Sequence, residues 1–369
     1  MLPAQQGDAL WIEYGSSSSS PHRILIDAGT APTGDVVRKR ILDLPEDERS
    51  FELLIITHVD TDHIGGALKL LSRPPQGFRA QDVWFNERRY LQEQPQSQLG
   101  ALDGEILGGF LDSLKWPWNE RFAPGPAVVP DSETAPPRFK LQGGMELTLL
   151  SPGPAQIDKL RRAWLKELEQ KNLNPGSPDY LERLSELMHQ RGVAPSSLLG
   201  DEEQATVSEL ADQLFHEDDS PANASTIAVL AEYNGQSCLL TGDAVPTVLV
   251  GSIKRMLRAR RQPKLRVDAV KLPHHGSRHN VSDQFLEMLA SPRWLFSTNG
   301  MKYHHPDPAA VARVVRAAEG QEATLYFNYP REANPVAARW DNSDLKQEWG
   351  YQTYWAPDQT TGCSVDLAS

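Results

Sequence analysis

Cysteine is scarce in this chain of 369 residues, which contains only Cys238 and Cys363. Two thiols cannot form a zinc site built from cysteine, so any metal must be held by histidine and carboxylate side chains. Cys238 lies in an apolar run, which indicates a small core residue rather than a ligand or half of a disulfide. Metal chemistry therefore has to be sought among the 10 histidines and 49 acidic residues.

Long apolar runs are also missing. No stretch approaches the roughly 18 residues that a membrane-spanning helix needs. The N-terminal residues 1–14 lack the basic region and the long apolar core of a signal peptide. Because 39% of the residues are hydrophobic, the composition is typical of a globular protein. We expect a cytoplasmic protein that does not bind the membrane.

Positive charge is in deficit, with 37 basic against 49 acidic residues and a net charge of -12. This balance argues against a protein that coats nucleic acid through bulk charge. Residues 254–266 are an exception, because they carry seven Lys or Arg side chains and no acid. Such a stretch fits a solvated helix face or a surface that faces phosphates, and the sequence leaves both interpretations open.

The most informative motif is the hexapeptide HVDTDH, which follows an apolar segment at 51–57 that predicts a buried strand. It places two imidazoles and two carboxylates within six positions: His58, Asp60, Asp62 and His63. Neutral histidine and carboxylate suit zinc, manganese or iron, and carboxylates bridge paired divalent ions. Because open α/β sheets collect ligands at strand ends, the hexapeptide predicts a dinuclear metal site. Asp60 or Asp62 is also expected to orient or deprotonate a water.

Further candidates follow later apolar strands. Asp243 ends one of them and is the expected bridging carboxylate between two metals. His274 and His275 follow a predicted strand at 267–272, and one is expected to bind metal while the other acts as an acid or contacts phosphate. We assign His274 to the metal and His275 to catalysis, and the residues leave the reverse assignment open. His305 is a candidate proton donor to the leaving group.

These motifs resemble the metallo-β-lactamase superfamily, and most of all the branch that contains the nuclease domain of DNA-internalisation competence proteins. The matching segments are Gln6-Gly7-Asp8-Ala9, Asp27-Ala28-Gly29, the hexapeptide, Asp243, His274-His275-Gly276-Ser277 and His305-Pro306. Many members have a further histidine ligand between the hexapeptide and the bridging aspartate. Residues 220–225 of this chain contain no histidine, and the competence-type branch looks similar there, with Asn and Ser.

The resemblance implies an α/β fold, the metallo-β-lactamase αββα sandwich, that binds two divalent ions, zinc or manganese. We predict the first half of this domain at 1–154, a helical insertion at 155–216, the second half at 217–320 and a C-terminal extension at 321–369. Charged, helix-like patterning carries the prediction of the insertion. Such a surface module is a candidate site for a protein partner.

The function that the resemblance implies is a metal-dependent hydrolase, a phosphodiesterase or nuclease in which a water activated by two metals attacks a phosphodiester. The substrate is then nucleic acid or a nucleotide. A small-molecule hydrolase of lactones or thioesters is the alternative, which the acidic net charge favours. An inactive metal-binding interaction protein is a third interpretation, against which the intact hexapeptide argues.

Overall fold

The computed structural model describes residues 1–15, 20–87, 101–122, 125–171, 173 and 205–367. Its strands, labelled β1–β16 in chain order, are Leu10–Tyr14, His22–Ile26, Ser50–Phe51, Leu53–Ile55, Arg79–Ala80, Val83–Trp84, Arg138–Lys140, Glu146–Ser151, Ala228–Tyr233, Gln236–Leu240, Leu265–Arg266, Ala269–Lys271, Leu289–Ala290, Arg293–Phe296, Ala323–Phe327 and Tyr351–Trp355. Its α-helices, labelled α1–α11, are Ala31–Leu42, Thr61–Ser72, Ala101–Leu114, Pro154–Gln170, Val207–Ala211, Pro221–Ala224, Pro246–Arg260, Asp283–Glu287, Pro308–Ala317, Pro335–Ala338 and Ser343–Trp349.

Two sheets lie at the centre of the fold. The smaller sheet has the strand order β1-β2-β4-β6, and the larger has the order β16-β15-β14-β12-β10-β9-β8-β7. The strands β2, β4 and β6 pair in parallel, as do β10, β12, β14, β15 and β16. Because parallel neighbours end at the same edge of a sheet, the loops that follow them converge there.

Alternation along the strands explains why the sheets stack. In β2, Ile24 and Ile26 pack in the apolar cluster between the sheets, whereas Leu25 packs in the cluster outside the smaller sheet. In β9, Val229 joins the central cluster and Leu230 joins the cluster outside the larger sheet. Both sheets are therefore apolar on both faces, as expected for sheets covered by helices. The chain folds as an αββα sandwich, which confirms the predicted fold class.

Helices form the two outer layers. The helices α1, α2, α3 and α4 pack one against the next outside the smaller sheet, and α5, α7, α8 and α9 lie outside the larger one. In the part of the chain that the structure describes, no helix is both long enough and apolar enough to cross a bilayer.

The predicted insertion at 155–216 is helical in its described part, where it supplies almost all of α4 and the whole of α5. Residues 172 and 174–204 lie outside the described residues. Helix α4 is not peripheral, because Ile157 and Trp164 are buried in the cluster outside the smaller sheet. The boundaries of the insertion and its role as a partner surface stay predictions.

The segment 321–369, predicted as an extension, completes the larger sheet. Its strands β15 and β16 add in parallel beside β14. Tyr351 in β16 donates a hydrogen bond from its hydroxyl to the carbonyl of the fully buried Trp340 at 3.0 Å. From the sequence, only the segment TLYFNY predicts a strand in this region. The second was missed because in β16 only Tyr351 is fully buried, so this edge strand carries a weak apolar signal.

Trp164→Ala should lower the free energy of unfolding by about 3–5 kcal/mol, because it opens a cavity at a fully buried site. It also removes the hydrogen bond that the indole donates to Glu105 at 2.9 Å. The indole lies directly on α3, since a Cβ on Gly104 would be 2.1 Å from the ring. Urea unfolding followed by circular dichroism measures the change.

The control for this variant is Leu214→Ala, at a side chain that is 80% exposed. It should change the free energy of unfolding by less than about 0.5 kcal/mol. If Trp164→Ala and Leu214→Ala had equal urea midpoints, Trp164 of α4 would not be packed in the core as described.

Candidate metal centre

The polar residues identified from the sequence gather at one edge of the sandwich. His58 follows β4, Asp243 follows β10, and His274 and His275 follow β12. Each of these residues lies just beyond the C-terminal end of its strand. This is the edge at which parallel strands present polar groups to a ligand.

Helix α2 carries the second half of the hexapeptide. It begins at Thr61, directly after Asp60. The glycine pair Gly65-Gly66 predicts a helix that begins only after the hexapeptide, but Asp62 and His63 already lie in the first turn of α2. The helix dipole stabilises an acidic side chain in this turn, which explains the earlier start.

The turn after β2 fixes the orientation of both hexapeptide histidines. His63 Nδ1 donates to Asp27 Oδ2 at 2.8 Å. Thr57 Oγ1 donates to the same oxygen at 2.6 Å, and it therefore accepts from His58 Nδ1 at 3.0 Å. Gly66 lets α2 approach this turn, since a Cβ there would lie 1.9 Å from a carbonyl oxygen of the turn. With Nδ1 occupied, both imidazoles leave Nε2 free for a metal.

His274 and His275 are oriented in the same way by other partners. Both have left-handed backbone, with φ of 47° and 56°. His275 Nδ1 donates to the carbonyl of Ser297 at 2.9 Å. Asn280 Nδ2 donates to the carbonyl of Asp243 at 3.1 Å, so Asn280 Oδ1 is the acceptor for His274 Nδ1 at 2.9 Å. These two imidazoles likewise offer Nε2.

The carboxylate oxygen Oδ2 of Asp243 is the point on which all four imidazoles converge. Its distances to the Nε2 atoms are 3.8 Å for His58, 3.3 Å for His63, 3.7 Å for His274 and 3.6 Å for His275. Lone pairs that face a buried carboxylate at this distance repel it unless a proton or a cation lies between them. The arrangement therefore suits a carboxylate that bridges cations.

Unpartnered buried atoms and short distances between possible ligand atoms also indicate that these residues could hold a divalent metal ion. Among the described residues, the buried atoms His58 Nε2 and Asp243 Oδ1 have no hydrogen-bond partner. His63 Nε2 and His275 Nε2 are 3.2 Å apart. Two nitrogen ligands of one tetrahedral zinc ion lie at a similar distance, about 3.3 Å. Asp8, His63, Asp243 and His275 offer ligand atoms that all lie within 4.8 Å of one another.

The pKa values of His63, Asp243 and His274 are set more by attraction between opposite charges than by burial. Burial opposes the charged form of His63, but the carboxylates of Asp243 and Asp27 hold the pKa of His63 well above its ordinary value. Burial also opposes ionised Asp243, yet His63, His275 and His274 hold the pKa of Asp243 well below its usual range. Asp243 raises the pKa of His274 to about 9 despite burial. A cation that binds here displaces protons from the imidazoles.

The two remaining hexapeptide carboxylates lie on the open side of the centre. Asp60 Oδ2 is 3.6 Å from His58 Nε2, and Asp62 Oδ2 is 3.8 Å from His275 Nε2. Their side chains are 30% and 16% exposed, whereas those of the two histidines are fully buried. These carboxylates therefore reach both the buried imidazoles and the solvent.

His305 lies beside the centre, with its ring centroid 5.4 Å from that of His274. Its Nδ1 is 3.5 Å from Asp307 Oδ2 and has no hydrogen-bond partner among the described residues. Burial lowers the pKa of His305, which favours the neutral imidazole. The proton-donor role of His305 stays a prediction.

Asp8 and Lys271 form a buried ion pair next to the centre, which the sequence did not identify. Lys271 Nζ contacts Asp8 Oδ2, and both side chains are at most 1% exposed. Asp8 Oδ1 lies 3.3 Å from His275 Nδ1. Burial opposes ionised Asp8, but Lys271 and His275 hold the pKa of Asp8 well below its usual range. The available signals were the opening motif and a lysine inside an apolar strand.

The αββα sandwich therefore carries a cluster of buried histidines and aspartates at one edge, which could hold a metal ion. Residues 7–155 match the family model described as the Metallo-beta-lactamase superfamily. Over residues 7–155 the chain therefore matches a metallo-β-lactamase domain, which confirms the resemblance seen in its motifs.

Two similar proteins add context. ComE operon protein 3 of Bacillus subtilis (strain 168) is 24% identical over 182 residues, which are 45% of this chain and 22% of that protein. The chain thus matches only a part of this longer relative. The chain is also similar to a crystal structure described as a metal-dependent hydrolase from Parabacteroides distasonis ATCC 8503. The superposition covers 87% of this chain and 98% of the Parabacteroides chain, with 7% sequence identity and a TM-score of 0.36.

Lys271→Met should lower the free energy of unfolding by about 3–5 kcal/mol, because it leaves the buried Asp8 carboxylate without its ion-pair partner. The double variant Asp8→Asn/Lys271→Met should recover most of this loss, since it removes both charges together. Urea unfolding of the single and double variants measures the difference. Equal stability of the two variants would contradict the ion pair.

Proposed function

We propose that this protein hydrolyses phosphodiesters, with nucleic acid or a nucleotide as the substrate. The observation that carries the proposal is the convergence of four imidazoles on Asp243, with Asp60 and Asp62 beside them. Two divalent ions held by these residues, zinc or manganese, would acidify a water and stabilise the attacking and leaving oxygens of a phosphodiester together. The motif resemblance to the competence-type nuclease branch supports the same reaction.

Each residue has a role that follows from its exposure. Asp60 and Asp62 orient the attacking water and accept its proton, because they are the partly exposed carboxylates of the centre. His275 is reassigned from catalysis to metal binding, because it is fully buried and its Nε2 faces that of His63. His305 lies at the rim, where it can hydrogen-bond the substrate or the leaving group.

The substrate side of the centre carries a cation and an aromatic ring. Tyr303 is 42% exposed, and its ring centroid is 6.3 Å from that of His305. Lys302 Nζ lies 4.5 Å from the centroid of the Tyr303 ring. A lysine can contact a phosphate, and an exposed aromatic ring can stack on a base. These two residues therefore support a nucleotide-containing diester.

The basic stretch at 254–266 does not lead to this site. Asp243 follows the end of β10, whereas Arg260 pairs with Glu232 at 2.6 Å. Glu232 lies beside Ser237 near the start of β10. Arg258 pairs with Glu133 at 2.7 Å. The basic stretch therefore lies at the opposite end of the strands of the larger sheet from Asp243, and two of its charges are paired with acidic side chains. It is better interpreted as a solvated face.

With added Mn²⁺ or Zn²⁺, the purified protein should hydrolyse bis-p-nitrophenyl phosphate and a single-stranded oligonucleotide. Asp62→Ala/His63→Ala should lower both rates by more than about a hundredfold, since even the outer partners of metal ligands are worth about 10–100-fold. The matched control is Arg258→Glu/Arg261→Glu, which should leave both rates unchanged because these side chains lie far from Asp243.

One result would contradict the proposed activity, and another would contradict the solvated-face interpretation of the basic stretch. Cleavage of a lactone or a thioester, without cleavage of any diester under either metal, would support the small-molecule alternative instead. Loss of oligonucleotide turnover in Arg258→Glu/Arg261→Glu, with hydrolysis of the small diester intact, would show that the basic stretch guides nucleic acid.

A further inference from the structure

A cavity of about 450 Å³ lies between the two sheets, beside the edge strand β1. All five residues of β1 line it, and side chains of β9, β10, β12 and β14 line it from the larger sheet. The segment 363–367 also contributes to its wall. Small-molecule sites have volumes of about 300–1,000 Å³, so the cavity is large enough for a ligand.

The deep part of the cavity is apolar. The side chains of Ala231, Leu240 and Leu295 line it and are each at most 6% exposed. The thiols of Cys238 and Cys363 belong to the same wall. Burial raises the pKa of Cys238 to about 12 and that of Cys363 to about 11, so both thiols stay uncharged at neutral pH. This part of the cavity therefore suits an apolar group.

The lining contains five charged groups, and four of them are engaged by other groups of the protein. These four are Lys271 with Asp8, Glu13 with Arg23, the amino group of Met1 with the carbonyl of Cys363, and Asp366. The fifth charged group is the exposed guanidinium of Arg40. In the part of the chain that the structure describes, no hydrogen bond or ion pair neutralises it.

The ring of Trp11 holds this guanidinium at the rim of the cavity. The central carbon of the Arg40 guanidinium lies 4.8 Å from the centroid of the Trp11 ring, and both residues line the cavity. A guanidinium that stacks on an aromatic face keeps its N–H donors available to a carboxylate. We propose that the cavity binds an amphipathic monocarboxylate, with its apolar tail between the sheets and its carboxylate at Arg40.

The inner end of the cavity separates this site from the metal centre. Lys271 lines the cavity and is 1% exposed, and its Nζ contacts Asp8 on the side of the metal centre. The carboxylate of the ligand is therefore expected at the rim, because the inner cation already has a partner. An amphipathic cation fits less well, since it would meet the positive charge of Arg40 at the rim.

Three ligands with the same ten-carbon chain test the preference for an anion. Decanoate, decanol and decyltrimethylammonium are titrated into the full chain below their micellar concentrations, with isothermal titration calorimetry as the readout. Decanoate should bind at one saturable site, and decanol about fivefold more weakly, the upper range for an ion pair at an exposed position. The cation should bind most weakly. Absence of decanoate binding, or equal affinity for decanoate and decanol, would overturn the proposal.

A pair of matched variants tests the role of Arg40. Arg40→Gln should weaken the binding of decanoate about fivefold and leave that of decanol unchanged. The control is Lys39→Gln, which removes an exposed positive charge one residue away in α1 without altering the lining. It should leave the binding of both ligands unchanged. Equal weakening of decanoate binding by the two variants would show that only bulk charge matters and would overturn the proposal.

A crystal of the unaltered protein soaked in 10-bromodecanoate locates the tail, because anomalous scattering identifies the bromine. The bromine should lie between β1 and Leu240, inside the cavity. A bromine peak elsewhere, or no peak in a crystal of protein that binds decanoate in solution, would overturn the proposal. None of these measurements uses a phosphodiester or a metal ion, so their outcome does not depend on the proposed function.

Discussion

The buried carboxylate of Asp243, with an imidazole nitrogen of each of four histidines within 3.8 Å, is the arrangement on which the rest of the site depends. Every one of these histidines has its other nitrogen held by a protein group. The partners are Thr57, Asp27, Asn280 and the carbonyl of Ser297. Such outer partners fix the tautomer and direct four lone pairs to one point, where only a cation can satisfy them without protonation.

The same constraint ties the two sheets together. Asp27 follows a strand of the smaller sheet and Asp243 follows a strand of the larger one, so the centre joins their edges. The opening segment lies between them, since Asp8 contacts Lys271 of the larger sheet and a Cβ on Gly7 would lie 1.6 Å from the carbonyl of Asp62. Folding of the sandwich and assembly of the metal centre are therefore coupled.

Local signals in the sequence predicted the strand ends and the polar residues that follow them. Asn234-Gly235, for example, lies between two apolar runs and predicts a tight hairpin turn, and both residues have the positive φ that such a turn requires, 48° and 85°. The pairing of Asp8 with Lys271 was not predictable, since it joins segments far apart in the chain whose packing no local pattern reports. Apolar periodicity likewise predicted the strand before the hexapeptide but missed the early start of α2, where the polar side chains of Asp62 and His63 interrupt the apolar pattern.

Crystals of the protein soaked in Mn²⁺ and measured for anomalous scattering would show directly whether metal binds at Asp243. We expect two peaks about 3.5–4 Å apart, both in contact with the Asp243 carboxylate, one beside His58 and the other beside His63. No peak at Asp243, or metal bound only at surface carboxylates elsewhere on the protein, would contradict this expectation.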